Sequence, residues 1–306
     1  MSAWCESPQA TRSCLPLVLA DLHQPSEIPA SFKIERIAAD LSDRHTVNAL
    51  FVADPDVVFH LAALASGGSE ANLDLGLSIN LFGMINLLEA ARQSGRRSGR
   101  PPIIVYSSSC AVHGGEAPEI ITDNVELNPQ TSYGSQKAMG ELLLNDFSRR
   151  GLIDGRGLRL PTVSIRPGKP NTAASSFMSS IFREPLQGET ANCPVARDHP
   201  IWHTAPRTVI WNIIHAAGIP AADWGQNRNI TLTGRTDTVA EMIDAMTRVA
   251  GPEPARRITW NHDAAVEKIV SIWRMHYQTD KARRLGFKTD SSVEDSVRWF
   301  IEDDRV

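Results

Sequence analysis

No glycine occurs before Gly67 in this chain of 306 residues. A turn that wraps closely around a phosphate at a helix N-terminus is built on glycines, so residues 1–66 hold no turn of that kind. The four cysteines, Cys5, Cys14, Cys110 and Cys193, have neither metal-ligand spacing nor the density of a disulfide framework. They fit free thiols in a reducing, cytoplasmic compartment. No apolar run approaches the ~20 residues that crossing a bilayer requires, and the piece from Leu15 to Ala20 is too short for a signal-peptide core. A net charge of −4 gives no bulk reason to bind nucleic acid or an anionic membrane. The basic run Arg96-Arg97-Ser98-Gly99-Arg100 reads as a solvated loop. Tyrosine and lysine are scarce, with three and six copies, so a fixed spacing between them carries information.

The apolar runs that are present alternate with helical patterns. Leu15 to Asp21 reads as a strand buried on both faces. Lys33 to Ala39 is a second strand, closed by Asp40-Leu41. Ser42 is placed to cap a helix from Asp43 to Ala53. Asp56 to Ala63 is a third strand, and a long helical pattern from Leu73 to Gln93 carries Asn80. A strand at 103–108, a helix from Tyr133 to Arg150 and a strand from Gly157 to Ile165 follow. This alternation predicts right-handed crossovers and a doubly wound α/β fold with a parallel sheet. Asp21, Asp40, the Ala62-Ala63 pair and Ser109 all fall at strand ends, where such sheets bind ligands. Beyond Arg166 the turn-rich Pro167-Gly168-Lys169-Pro170-Asn171 opens a smaller α+β portion. Helices are expected there at 173–184, 206–217, 236–250 and 291–303, and strands near 228–233 and 257–262. The expected division is a leader at 1–14, a dinucleotide-binding domain at 15–166 and a substrate-binding portion at 167–306, partly interwoven with it.

The chemistry gathers around one stretch. The run Ser107-Ser108-Ser109 closes the strand, and Tyr133, 24 residues beyond Ser109, precedes Lys137 at i,i+4 spacing. On a helix that spacing puts phenol and ammonium on one face. A phenol with a pKa near ~10 is a poor base at neutral pH, and a nearby ammonium favours the phenolate. A serine hydroxyl can then share the proton or hold a substrate oxygen. The second Tyr-x-x-x-Lys, Tyr277 to Lys281, has no serine run upstream and reads as a surface pair near a late helix. His60 reads as a satisfied core histidine and Cys110 as core.

Taken in order, Asp21, Asp40-Leu41, His60-Leu61-Ala62-Ala63, Asn80-Leu81-Phe82-Gly83, the serine run, Tyr133-x-x-x-Lys137 and Arg159-Leu160-Pro161 resemble the extended short-chain dehydrogenase/reductase superfamily. The later pieces, Leu158 to Thr162, Arg166 to Asn171, Ala173 to Phe177 and Arg183-Glu184-Pro185-Leu186, are similar to its D-erythronate dehydrogenase branch. The resemblance implies a Rossmann-like fold and NAD as cofactor. It implies Asp21 on the adenosine ribose, Asp40 and Leu41 flanking the adenine, and Leu61, Ala62 and Ala63 allowing close backbone approach. It further implies Ser109 on the reacting oxygen, Tyr133 as general base, Lys137 on the nicotinamide ribose, Asn80 in a proton relay and Pro161 to Val163 beside the nicotinamide. Two plainer readings stay open: Asp21 as a turn cap, and Asn80 as a polar contact inside a helix.

A sugar-acid substrate needs a cation, and the planar fork of arginine suits a carboxylate. Arg183 and Arg207 are the candidates, with His203 assisting and Asn171, Ser175 and Ser176 on substrate hydroxyls. The superfamily opens with a strand and a glycine-rich turn that nothing here matches, so its first strand is expected to be missing. The expected activity is NAD-dependent oxidation of the C2 hydroxyl of D-erythronate, or a close sugar acid, to the 2-oxo acid. A nucleotide-sugar epimerase or dehydratase of the same superfamily and a truncated non-catalytic remnant are the alternatives. The resemblance also implies a homodimer built on the helices at 73–93 and 133–150.

Overall fold

The structure, a computed structural model, describes residues 17–169 and 174–304. The first apolar runs form strands β1 (Leu17–Asp21) and β2 (Ile34–Ala38), paired in parallel with Asp21 opposite Ala38. Helix α1 (Arg44–Leu50) is capped by Asp43, whose carboxylate accepts from the amides of His45 and Thr46. Ser42 is not the cap: its hydroxyl turns back to the Asp40 carboxylate. Strand β3 (Val57–His60) stops short of the small residues, which run on as irregular backbone. Helices α2 (Ser66–Ala71) and α3 (Leu73–Gly76), a π-helical turn at Leu77–Phe82 and helix α4 (Gly83–Ser98) follow. Next come β4 (Ile103–Ser109), β5 (Ile120–Ile121), α5 (Ser132–Arg149), β6 (Asp154–Leu160) and β7 (Thr162–Val163), with Pro161 dividing the last two.

Strands β3, β4 and β6 lie side by side in parallel. On β4, Ile104 packs with Leu88 and Leu144, while Val105 packs with Leu158, Val209 and Trp224. Adjacent residues of a strand point to opposite faces, so both faces of this sheet are covered by helices, as the continuous apolar run predicts. The β1–β2 pair is a separate sheet. Among the described residues β1 and β3 each keep one unpaired edge, and Val18 and Phe59 are 38% and 39% exposed.

The second half continues with α6 (Phe177–Leu186), β8 (Ala191–Asn192), β9 (Pro200–Thr204), α7 (Pro206–Gly218), α8 (Ala221–Trp224), β10 (Asn229–Thr231) and β11 (Arg235–Thr238). It ends with α9 (Val239–Ala250), α10 (Pro252–Arg256), β12 (Ile258–Thr259), α11 (Ala264–Val270), β13 (His276–Tyr277), α12 (Asp280–Arg284) and α13 (Val293–Asp303). Strand β10 joins β6 in the main sheet, giving the order β10-β6-β4-β3. Strands β7, β9 and β11 form a second small sheet. Helix α9 starts three residues later than expected because Thr238 and Glu241 make a capping box. A core containing Met178, Phe182, Trp202, Ile243 and Val297 holds this half together.

The stretch Leu73–Ser98 is long and apolar enough, by composition, to cross a membrane. Its Met84, Leu87, Leu88 and Ala91 are buried against α1, β4 and α5, which makes it a core helix of the sheet's outer layer.

Candidate active site

The parallel strands of the main sheet end together, and a cavity of about 370 Å³ opens there, lined by Ser109, Tyr133, Lys137, Leu61, Ala63, Pro161 and Ser175 among others. Ser109 is the last residue of β4. Its hydroxyl accepts from the Ala111 amide at 3.1 Å and turns the chain into a short 3-10 segment. Thr131 caps α5 through the Gly134 amide, which starts the helix so that Tyr133 lies in its first turn. One turn on, Lys137 is 2% exposed and donates to the Ser107 carbonyl at 2.6 Å. Its Nζ lies 5.6 Å from the Tyr133 ring centre and 4.8 Å from that of Tyr106.

The electrostatics differ from the simplest expectation. Burial pushes the Tyr133 phenol up to about 12, while the Ser109 hydroxyl bonded to it and the Arg166 guanidinium pull it down. Burial pushes Lys137 down to about 7, with the Glu141 carboxylate opposing. Ser109 and Arg166, rather than Lys137, are therefore the groups that favour the phenolate in this state. Beneath the site, Arg159 holds the Glu141 carboxylate with contacts of 2.7, 3.0 and 3.1 Å, and Ser108 donates to the same carboxylate at 2.6 Å. This buried pair ties α5 to β4 and β6.

The other expected residues separate into three groups. Asp21 and Asp40 lie at the ends of β1 and β2, outside the cavity lining. Among the described residues Asp21 accepts one long contact, 3.3 Å, from the His23 amide, and Asp40 accepts from the amide and hydroxyl of Ser42. Leu41 packs partly into the core beside α1, and Ala62 is half-buried between Leu61 and Ala63 without itself lining the cavity. Asn80 is buried in the π-helical turn. It accepts from Leu64 N at 2.8 Å and donates to Leu64 O, Ser69 Oγ and Gln136 Oε1. None of these bonds reaches Tyr133 or Lys137; they fix the 64–69 segment that forms one cavity wall. Asn171 lies outside the described residues.

The candidate cations are elsewhere. Arg183 is buried, but it bonds Glu184 at 2.6 Å and the Arg166 carbonyl at 3.0 Å. Arg207 is tied to Glu302 and Asp303 at the end of α13. Each is neutralised by a carboxylate, and neither lines the cavity. On β9 the alternation of side chains turns His203 toward Asp237 at 3.0 Å, while Trp202 faces the cavity. His60 is buried and stacked on Tyr106, its imidazole pushed down to about 3 by burial and by Lys137. Cys110 packs against the core of the second half, as expected, and also lines the cavity, with its thiol pushed up to about 12 by burial.

The surface reading of Tyr277 is overturned. Pairing of β13 with β5 turns Tyr277 inward, where it is 9% exposed and stacked on Trp202 with 5.0 Å between ring centres. Lys281 is half-buried and reaches the Asn227 carbonyl. Sequence reasoning also missed Arg166, Trp273 and Arg274 in the cavity wall. For Arg166 a signal existed, since a cation directly follows a strand that ends at the crevice. The others arrive from about 130 residues or more beyond Tyr133 along the chain, with no local mark.

The residues present fit the ribose-bearing ends of a dinucleotide. The Lys137 ammonium carries three N–H groups and, among the described residues, one protein acceptor, the Ser107 carbonyl, so donors remain for hydroxyls. Small Ala63 and Ala65 line the same cavity. A larger depression of about 560 Å³ beside His215, Asp223 and Arg284 has no tyrosine, serine or lysine among its described lining residues.

The fold and this constellation define a Rossmann-like enzyme of the short-chain dehydrogenase/reductase type. Residues 16–204 match the NAD dependent epimerase/dehydratase family, and the chain belongs to that family. It is 44% identical to D-erythronate dehydrogenase of Cupriavidus necator over 94% of this chain and 87% of that protein. It is 40% identical to D-erythronate dehydrogenase of Haemophilus influenzae over 94% of this chain and 90% of that protein. The solved structure of a nucleoside-diphosphate-sugar epimerase from Agrobacterium tumefaciens superposes with a TM-score of 0.89 at 43% identity, covering 94% of this chain and 84% of that one. The chain is accordingly an oxidoreductase that uses a nicotinamide cofactor.

Proposed function

We propose that this protein oxidises the C2 hydroxyl of D-erythronate, or a close four-carbon sugar acid, to the 2-oxo acid with NAD. The observation that carries the reading is the meeting of the Tyr133 phenol, the Ser109 hydroxyl and a cation, Arg166, that has no ion pair among the described residues, in one small cavity. The two relatives named for this activity support it. Ser109 holds the substrate oxygen. Tyr133 takes the hydroxyl proton, the electron pair of the broken O–H bond becomes the second bond of the new C2 carbonyl, and the C2–H pair leaves with the hydride. The bound nicotinamide supplies the acceptor for the hydride that leaves C2. Lys137 holds the ribose hydroxyls beside it. Asp21 supports NAD over NADP, because a carboxylate repels a 2′-phosphate. A cytoplasmic location accords with the free thiols Cys110 and Cys193.

The test follows absorbance at 340 nm while the purified chain is supplied with NAD and D-erythronate. Net NADH production is expected. Turnover of a nucleotide sugar without net NADH would replace this reading with the epimerase one, which the name of the Agrobacterium tumefaciens structure favours. Failure to bind NAD in a calorimeter would leave a chain without catalysis.

A further inference from the structure

We propose that Arg166 is the specificity residue of the cavity: its guanidinium takes the carboxylate of the substrate and so restricts the enzyme to 2-hydroxy acids. This rests on the dehydrogenase reading above and deepens it to a substrate class. Neutral polyols and uncharged sugars would lack the anchor.

The cations of the cavity wall decide the matter by their partners. Lys137 lies one helical turn from Tyr133 and donates a hydrogen bond to the Ser107 carbonyl. Arg274 is spent as a strut, with Nε on the Ala117 carbonyl at 2.9 Å and Nη2 on the carbonyls of Gly115 and Ala117 at 2.8 Å. Arg166 differs from both. Its backbone is held at each end, the amide by the Ser179 hydroxyl at 3.1 Å and the carbonyl by Arg183 at 3.0 Å. Among the described residues its guanidinium meets no carboxylate and no carbonyl. The neighbouring Arg183 is neutralised by Glu184, and among the described residues Arg166 has no ion pair of its own. A half-buried cation without a counter-ion is costly unless something anionic arrives.

Position completes the case. Arg166 and Tyr133 are close enough in one cavity that each shifts the other's protonation. In a 2-hydroxy acid the carboxylate carbon is bonded directly to the carbon bearing the hydroxyl. A carboxylate gripped by the planar fork of Arg166 therefore delivers the C2 oxygen beside Tyr133 and Ser109. Deeper hydroxyls have Ser175 in the same wall, and the stacked rings of Trp202 and Tyr277 close the far side.

The test needs no turnover. D-erythronate and its uncharged amide, D-erythronamide, are titrated onto the full chain without cofactor, and quenching of tryptophan fluorescence is followed. The wild type is expected to bind the acid more tightly than the amide by roughly 10- to 100-fold, the range for a hydrogen-bonded charge pair. Arg166→Gln should bring that ratio close to one, and Arg166→Lys should keep part of it. Circular dichroism melts establish that each variant is folded, and the Lys variant carries the test should the Gln variant not fold. A wild type that does not distinguish acid from amide, or a variant that keeps the full ratio, overturns the proposal. An intact ratio with no NADH formed from D-erythronate would sink the redox reading and leave the carboxylate site standing.

Discussion

At the scale of single residues, the site consists of a base that is hard to ionise and a cation that is hard to keep charged. Tyr133 is pushed up to about 12, so in the neutral range the phenolate is a small fraction that grows with pH. For oxidation, kcat/KM should rise about tenfold per pH unit between pH 7 and 9, as one ionising base requires. Ser109→Ala removes a bond that pulls the phenol down, so its rising limb should move to higher pH. A limb that stays in place would separate Ser109 from the base. Lys137 makes a different prediction. Its ammonium falls from the usual 10.5 to about 7 on burial. Between those values the unfolded chain holds a proton that the folded chain lacks, so this group adds stability as pH rises from 7 to 10.5 and penalises folding fully below 7. Lys137→Met should abolish turnover. It should also raise stability at pH 6 by up to a few kcal/mol, less about 1 kcal/mol for the bond lost to Ser107. Urea melts at pH 6 and pH 9 check this, and an equal effect at both pH values would refute it.

At the scale of elements, catalysis depends on how closely the start of α5 lies against the end of β4. Gly134 makes that approach possible, since a Cβ there would come 2.3 Å from the Ala111 carbonyl oxygen. Gly134→Ala must push the helix start, and Tyr133 with it, away from Ser109. A displacement near 1 Å costs on the order of 100-fold in rate. The expected result is that loss of kcat with a modest fall in melting temperature, measured by steady-state kinetics and calorimetry; unchanged kcat would show that the helix start is not under this constraint. Much of this pairing was legible in the sequence, because Ser109 closes an apolar strand and Tyr133 and Lys137 share a helix face. The choice of arginine was not. Arg183 and Arg166 are chemically alike, and only the structure shows that Arg183 is paired with Glu184 while Arg166, among the described residues, has no ion pair. Tyr277 was misread for the same reason. A two-residue strand pairing with Ile120 and Ile121 has no periodicity long enough to see. Asn80 was visible as a polar residue in an apolar helix, but its partners come from two distant segments, 64–69 and Gln136 on α5.

At the scale of the whole molecule, the surface carries apolar side chains that the monomer does not cover. Leu73, Leu75 and Phe82 are 55%, 45% and 54% exposed along the path into α4, and Leu142 on the adjacent α5 is 62% exposed. Helix α5 packs against α4, and also against α3 and the π-helical turn that carry Leu73, Leu75 and Phe82. A second copy presenting the same surface about a two-fold axis would bury all four residues twice, as an isologous interface does. A stable interface removes about 800 Å² per partner, an area that helices of 16 and 18 residues can supply. A second apolar face, Ile210 and Ile214 on α7, is 57% and 37% exposed and lies on a single helix with less surface to offer. The molecule is therefore expected to sediment as a dimer. Leu142→Glu, which puts a charge at the centre of the paired helices, should convert it to monomer while the melting curve of the folded monomer stays cooperative. Ile210→Glu should leave the dimer intact. Sedimentation velocity on the three proteins decides the assignment. A dimer that survives Leu142→Glu but not Ile210→Glu would move the interface to α7, and a wild-type monomer would leave both faces without a copy to cover them.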